Sequence, residues 1–367
     1  MIPFWRKKHR EEPDKKTFIV QHGGILLEKL ITIFDGKRNP IRNFSSEELK
    51  LATNNYDTVN LMVDYGLYKL YRGFLLDSRI SVMKFESKSQ QACDVCINNI
   101  VFASQMCHKH ILMLIGCCLE TPIPILVFES LVKYGTLQDH IDRHHEPHLE
   151  SLSWRHRLKI TMEIANTFAY LHVGFPRPIV YAYISALQFL LDEHYVPKLV
   201  DFSYAECIPE GQTQIKDAQV RGFIGFMAPE QFNGVLNESC DVYGFGALLF
   251  EVLTGQWIHN LVRSNEMKDE DFKSSSETKD NEERELISYK TKEKYWLCNF
   301  VKKINEDNRF IELVDPIIAE DILCPEIAQQ VKVFAQLAVK CQSYSAEDRP
   351  TMIDVAKQLR QLYLSTS

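Results

Sequence analysis

Apolar and polar positions fall into two textures along the chain. Residues 59–85 alternate apolar and polar side chains, with aromatics among them, which predicts strands. A helix is predicted near 91–106, and further strand pattern follows over 111–129, most clearly at 125–128. From 153 the spacing turns helical: Leu158, Ile160, Ile164, Phe168 and Leu171 fall near a period of 3.6. Residues 189–191 and 198–200 read as a short hairpin, 248–253 as part of a fully buried helix, and 295–315 and 326–363 as amphipathic helices. Upstream, the apolar segment Ile25-Leu26-Leu27-Glu28-Lys29-Leu30-Ile31 ends near the turn signal Asp35-Gly36. Ser45 and Glu48 form a capping box that opens a short helix. A strand-rich first part and a helical second part predict an α+β fold, and no internal repeat is evident.

Composition narrows this picture. The chain has 367 residues, 45% hydrophobic and 25% charged, ordinary for a globular protein with a sizeable core. Its net charge of -7 and pI near 6.0 argue against a general nucleic-acid binder. Residues 1–20 are charged and expected to be unordered; 21–57 read as an N-terminal extension. We expect no signal peptide and no apolar run of the roughly 18 residues that a spanning helix needs. With Ile2 at position 2 we expect no N-myristoylation, and with Leu364-Ser365-Thr366-Ser367 no prenylation. The ten cysteines are scattered and expected to be reduced thiols. Cys93 and Cys96 fit an apolar helix face better than a metal or redox site, for no second pair completes one. His140, His144, His145 and His148 read as a solvated loop, so no metal site is expected. Residues 262–287 form a polar, mostly acidic insertion, read as exposed and flexible.

A set of short motifs runs through the chain in order: Val82-Met83-Lys84, Ile115-Gly116-Cys117-Cys118-Leu119-Glu120, Asp201-Phe202-Ser203, Ala228-Pro229-Glu230, Asp241-Val242-Tyr243-Gly244-Phe245-Gly246 and Asp348-Arg349-Pro350. Each alone is weak. Their order and spacing over about 270 residues resemble eukaryotic protein kinases. The resemblance implies a bilobal kinase-like fold, with a strand-rich small lobe at 58–130 and a helical large lobe at 131–364. It also implies structural roles for Glu230 paired with Arg349 and for Asp241 bracing the catalytic loop.

The same resemblance implies extensive loss of catalytic groups. Counting back from Leu70-Tyr71-Arg72-Gly73, the phosphate-loop glycine positions fall on Val63, Tyr65 and Tyr68, with Gly66 out of register. The catalytic loop aligns with Tyr181, Ala182, Tyr183, Ile184, Ser185, Ala186, Leu187 and Gln188. Tyr183 then replaces the aspartate, Ser185 the lysine, and Gln188 the metal-binding asparagine. Lys84 reads as the surviving phosphate lysine, but Asn99 stands where its helix glutamate belongs. Val82 replaces the alanine above the adenine, and Asp201 is retained before Ser203. Ala182 replaces the arginine that receives an activation-loop phosphate, so phosphorylation at Thr213 would find no such partner. Phe223 stands at the P+1 threonine. Lys84 and Asp201 are compatible with an empty pocket or with weak ATP binding; no cofactor is required. The expectation is a pseudokinase, with a weakly active Ser/Thr kinase or an ATP-sensing scaffold as alternatives.

Phe44 to Tyr56 (FSSEELKLATNNY) and Leu313-Val314-Asp315-Pro316 resemble plant receptor-like kinases. With the segment 36–42 before Phe44, the chain most resembles receptor-like cytoplasmic kinase subfamily XII, the ZED-related pseudokinases. That resemblance implies an adaptor in plant innate immunity, bridging a coiled-coil NLR receptor to receptor-like cytoplasmic kinases that bacterial effectors modify. It implies a cytoplasmic protein, peripheral at the plasma membrane through its partners. Leu30 and Ile31 lie where the family docks on the receptor; equally, their apolar character fits a face that covers the small lobe's own sheet.

Overall fold

The computed structural model describes residues 14–36, 41–75, 78–87, 89–131, 135–141, 150–220, 222, 225–258 and 314–365. The chain divides into two compact units, one of residues 1–106 and 113–131, the other of 107–112 and 132–367.

The first unit is built on a six-stranded sheet in the order β1-β5-β6-β4-β3-β2. Its strands are β1 (Arg42–Asn43), β2 (Leu61–Asp64), β3 (Tyr68–Leu75), β4 (Ser78–Phe85), β5 (Leu114–Cys118) and β6 (Ile125–Glu129). Strand β4 is buried along most of its length because both faces of the sheet are covered. On one face, Ile80, Val82, Ile125 and Val127 pack with Phe44 and with Leu49 and Ala52 of helix α2 (Ser46–Ala52). On the other, Met83 meets Asn99 of helix α3 (Gln90–Ala103). The capping box at α2 forms as the sequence predicts, Ser45 and Glu48 satisfying each other's backbone N–H groups.

The Gly116-Cys117-Cys118-Leu119-Glu120 run proves to be the dock for the extension. Phe44 lies so close to Gly116 that a Cβ there would sit 2.4 Å from its ring and 2.2 Å from the Arg42 carbonyl. Glu120 accepts from Ser46 at 2.9 Å (N–H) and 3.0 Å (hydroxyl) and lies 3.7 Å from Lys15.

Helix α1 (Lys15–Phe34) corrects two expectations. It begins inside the stretch expected to be unordered, whose residues 1–13 lie outside the described ones. By length and composition alone it could cross a membrane, with a mean hydropathy of 1.3 over its best window. Gly23, Gly24, Gln21 and His22 interrupt the apolar run without lowering that mean far, which is why a search for continuous apolar residues passes over it. Here the helix lies against α3: Phe34 meets Phe102 edge to face at 5.7 Å, Lys29 donates to Asn98 at 3.3 Å, and His22 contacts the Leu119 carbonyl.

The second unit is mainly helical: α4 (Leu137–Ile141), α5 (Trp154–Val173), α6 (Glu238–Thr254), α7 (Pro316–Asp321), α8 (Pro325–Cys341) and α9 (Met352–Leu364). Short strands β8 (Phe189–Leu191) and β9 (Pro197–Leu199) form the predicted hairpin, and β7 (Ile179–Val180) pairs with β10 (Glu206–Cys207). The helix expected over 326–363 is two helices, broken at 342–351 where Arg349 turns inward. Arg157 on α5 is fully buried; it donates to the Leu152 and Val252 carbonyls and pairs with Asp315, whose LVDP motif is thereby tied to α5. The acidic insertion and all but residues 314–315 of the element expected over 295–315 lie outside the described residues.

Candidate functional site

In the first unit the register of β4 decides which side chains could meet a ligand. Successive side chains of a strand point to opposite faces. Asn99, fully buried on α3, donates from Nδ2 to the Met83 sulfur at 3.5 Å. Lys84 therefore points to the other face. There its Nζ lies 4.9 Å over the Tyr56 ring and 3.5 Å from Glu86. Val82 shares that face and is sealed under α2. Ser81, on the face of Met83, accepts from the Leu131 N–H at 3.3 Å.

The loop between β2 and β3 is a tight turn. Gly66 has φ +75°, and its N–H is held by the Asp64 carboxylate at 2.9 Å. The Tyr65 and Tyr68 rings meet at a tilt, 4.9 Å apart, and Tyr68, only 3% exposed, lies 5.4 Å from Phe85. Tyr68 and Phe85 are direct cross-strand partners, so these rings lie on the Met83 face. Val63 is half-buried opposite Leu70. Aromatic side chains thus fill the place where a glycine loop would offer bare N–H groups to phosphates.

In the second unit, residues 181–188 contain no carboxylate. Asp241 accepts the N–H groups of Tyr181 and Ala182, both at 2.8 Å, and lies 2.9 Å from His172 Nε2. This holds Ala182 at φ 69°, a left-handed conformation that alanine seldom adopts. Tyr181 packs edge to face on Phe168 and Phe202. Burial is the main cause that pushes the Tyr183 phenol up from its ordinary pKa, so it stays protonated. Ser185 and Gln188 cap one another: the Gln188 amide oxygen accepts from the Ser185 N–H at 3.2 Å, and the Ser185 hydroxyl accepts from the Leu187 N–H at 3.4 Å. Asp201 is engaged by its own turn, accepting the Ser203 N–H at 2.9 Å and the Ser203 hydroxyl.

The scaffold pair forms. Arg349 donates to both Glu230 oxygens at 2.6 and 2.9 Å, and also to the carbonyls of Ser239, Ser343 and Tyr344. Thr213 is exposed, and Phe223 lies outside the described residues. Among the described residues, no cluster of His, Cys, Asp or Glu could hold a metal; Cys93 and Cys96 are buried on α3 and form no disulfide, and Cys96 donates to the Pro124 carbonyl at 3.1 Å.

Comparison with known proteins agrees with this layout. Residues 76–293 match the protein tyrosine and serine/threonine kinase family. The chain belongs to that kinase family. It is 33% identical to "Non-functional pseudokinase ZED1" of Arabidopsis thaliana, over 94% of this chain and 96% of that protein. It is 31% identical to "Serine/threonine-protein kinase ZRK1" of the same plant, over 97% of this chain and 95% of that protein. "Wall-associated receptor kinase 5", also from Arabidopsis thaliana, is 31% identical over 99% of this chain but only 45% of its own length, so the chain spans under half of that relative.

Kinase logic turns the β4 register into a correction. In kinases the strand lysine pairs with a helix carboxylate, so both must share one face of the sheet. The residue facing Asn99 is Met83, not Lys84. The motif position lies one residue earlier than Lys84: the paired site holds methionine and asparagine, and Lys84 is its neighbour on the opposite face. The alanine position shifts likewise, from Val82 to Ser81. Sequence spacing alone missed this, because Lys84 is the one lysine that completes the strand motif and Met83 leaves no such mark. The burial of Asn99 in an otherwise apolar helix face was the available signal. A magnesium nucleotide needs cations and N–H groups at its phosphates and oxygen ligands at its metal. The Met83–Asn99 contact and the tyrosine-filled turn do not fit one, nor do the mutually capped Ser185 and Gln188.

Leu30 and Ile31, singled out together, separate in the structure. Leu30 is 4% exposed, on the buried face of α1 with His22 and Leu26; Ile31 is 55% exposed.

Proposed function

We propose that this chain is a pseudokinase that works by binding: an adaptor in plant immunity that bridges a coiled-coil NLR receptor to receptor-like cytoplasmic kinases modified by bacterial effectors. The observation that carries the loss of catalysis is the 181–188 loop. It holds no carboxylate, its central side chain is the half-buried phenol of Tyr183, and Ser185 and Gln188 are spent on capping the same turn. Phosphoryl transfer depends on positioned carboxylates, cations and metal ligands. An intact scaffold without them is useful for its surface. The name "non-functional pseudokinase" carried by ZED1 supports this reading, as does a match covering nearly all of that protein. The subfamily assignment to the ZED-related group belongs to the same proposal. On this reading the protein requires no cofactor and is cytoplasmic, held at the plasma membrane through its partners. Ile31, with Leu27 at 53% exposed and Val20 at 76%, forms the receptor-facing stripe of α1.

A second reading, a weakly active Ser/Thr kinase, is favoured by the name of ZRK1 and by the retained Asp201. Transfer of labelled phosphate from ATP by the purified chain, with Mg²⁺ or Mn²⁺, separates the two. The adaptor reading expects no labelling of the chain or of a general substrate. Labelling that an Asp201→Ala variant abolishes would establish the kinase instead.

A further inference from the structure

Lys84 is the one cation that the sequence motifs offer for nucleotide phosphate, and the fold points it elsewhere. We infer that Lys84 is an interlock: it fastens the N-terminal extension to the sheet by holding the ring of Tyr56, and it binds no phosphate. This goes beyond the adaptor reading and stands whether or not that reading does.

Two independent observations carry it. The first is the cation–ring geometry. Lys84 Nζ lies 4.9 Å over Tyr56, whose ring also meets Tyr71 edge to face at 5.6 Å. Tyr71 lies opposite Val82 and so belongs to the Lys84 face. Glu86, 3.5 Å from Lys84, and Lys69 with Asp64 complete the charges around it. A cation over an aromatic face is held by the ring's negative quadrupole.

The second observation is the backbone that delivers the ring. Asn54, Asn55 and Tyr56 all lie in the left-handed region, at φ 51°, 57° and 58°. Asparagine tolerates this conformation; for a residue as bulky as tyrosine it is a rare, strained one. Such strain persists only where the surroundings over-determine it. Here the Tyr56 N–H is held by the Thr53 hydroxyl at 3.0 Å, and Thr53 in turn is fixed to the Leu49 carbonyl at 2.7 Å. Asn54 reaches Asp57 and Asn60 reaches the Thr53 carbonyl, each at 3.0 Å. The ATNNY motif, otherwise without a role, thus builds a left-handed turn that swings Tyr56 off the end of α2 and onto Lys84.

The test is a double-mutant cycle on the full chain, with Lys84→Met, Tyr56→Leu and both together. Melting temperatures are taken with and without Mg-ATP, and hydrogen exchange is followed over residues 46–60. We expect each single variant to melt about 2–4 °C lower and to exchange faster over 46–60, with no added loss in the double variant. Tyr56→Phe keeps the ring and should behave as the wild type. Mg-ATP should leave the wild-type melting temperature unchanged. Additive losses, or a Lys84→Met variant that melts and exchanges as the wild type does, would overturn the interlock. So would a Mg-ATP shift in the wild type that Lys84→Met abolishes.

Discussion

Burial sets the protonation of single residues in this chain, and His110 shows the consequence best. Its side chain is 1% exposed, and burial, together with nearby Lys109, His108 and Lys198, lowers its pKa from 6.5 to about 4. The unfolded chain takes up this proton near 6.5, well before the folded one does. Stability is therefore intact above that pH and lost as the pH falls through 6.5 toward 4, by about 3 kcal/mol. Glu163, about 4.0 Å away, moves the opposite way: burial raises its pKa, so its ionised form weighs against the fold as the pH rises. Urea midpoints measured from pH 7.5 to 4.5 should fall less steeply for His110→Gln than for the wild type. Glu163→Gln should raise the midpoint at pH 7.5.

Among the elements, the N-terminal extension depends on two kinds of contact that a linear reading separates poorly. Gly116 is required because β1 and Phe44 close onto it, not because its backbone is unusual. Gly116→Ala should cost about 1–3 kcal/mol through overpacking and loosen β1 and α2, seen as faster hydrogen exchange over 42–52. Helix α1 distinguishes its own neighbours: side chains at 22, 26 and 30 recur every four residues and face inward, while 27 and 31 face out. Leu30→Glu should lower the melting temperature sharply. Ile31→Glu should leave it unchanged and, on the proposed adaptor reading, abolish capture by a coiled-coil NLR receptor; retained capture would remove Ile31 from the proposed interface.

Across the whole molecule, Glu230, Arg349 and Asp241 make the contacts of a kinase scaffold, while Ser185, Gln188 and Asp201 are engaged within their own turns. Asp241 shapes a loop without a base, and Gln188 caps the turn it lies on. The Glu230–Arg349 pair should carry much of the second unit's stability. Arg349→Ala removes the partner of a carboxylate and of three carbonyls, and should cost about 3–5 kcal/mol by chemical denaturation. Glu230→Gln preserves the shape and should cost less.

The strand and helix textures, the capping box, the hairpin and the order of the motifs were readable from the chain because each rests on local periodicity or on spacing within one element. The α+β class and the kinase family follow from those alone, as does the lack of a carboxylate in the 181–188 loop. The face on which a side chain emerges is another matter. In a strand, a slip of one residue exchanges the two sides of the sheet, and nothing local distinguishes Met83 from Lys84. Only the packing of α3 against one face and α2 against the other decided that methionine meets Asn99 and lysine meets Tyr56. The partition of Leu30 from Ile31 and the tie between Asp315 and Arg157 were likewise decided by contacts between residues that the sequence sets apart.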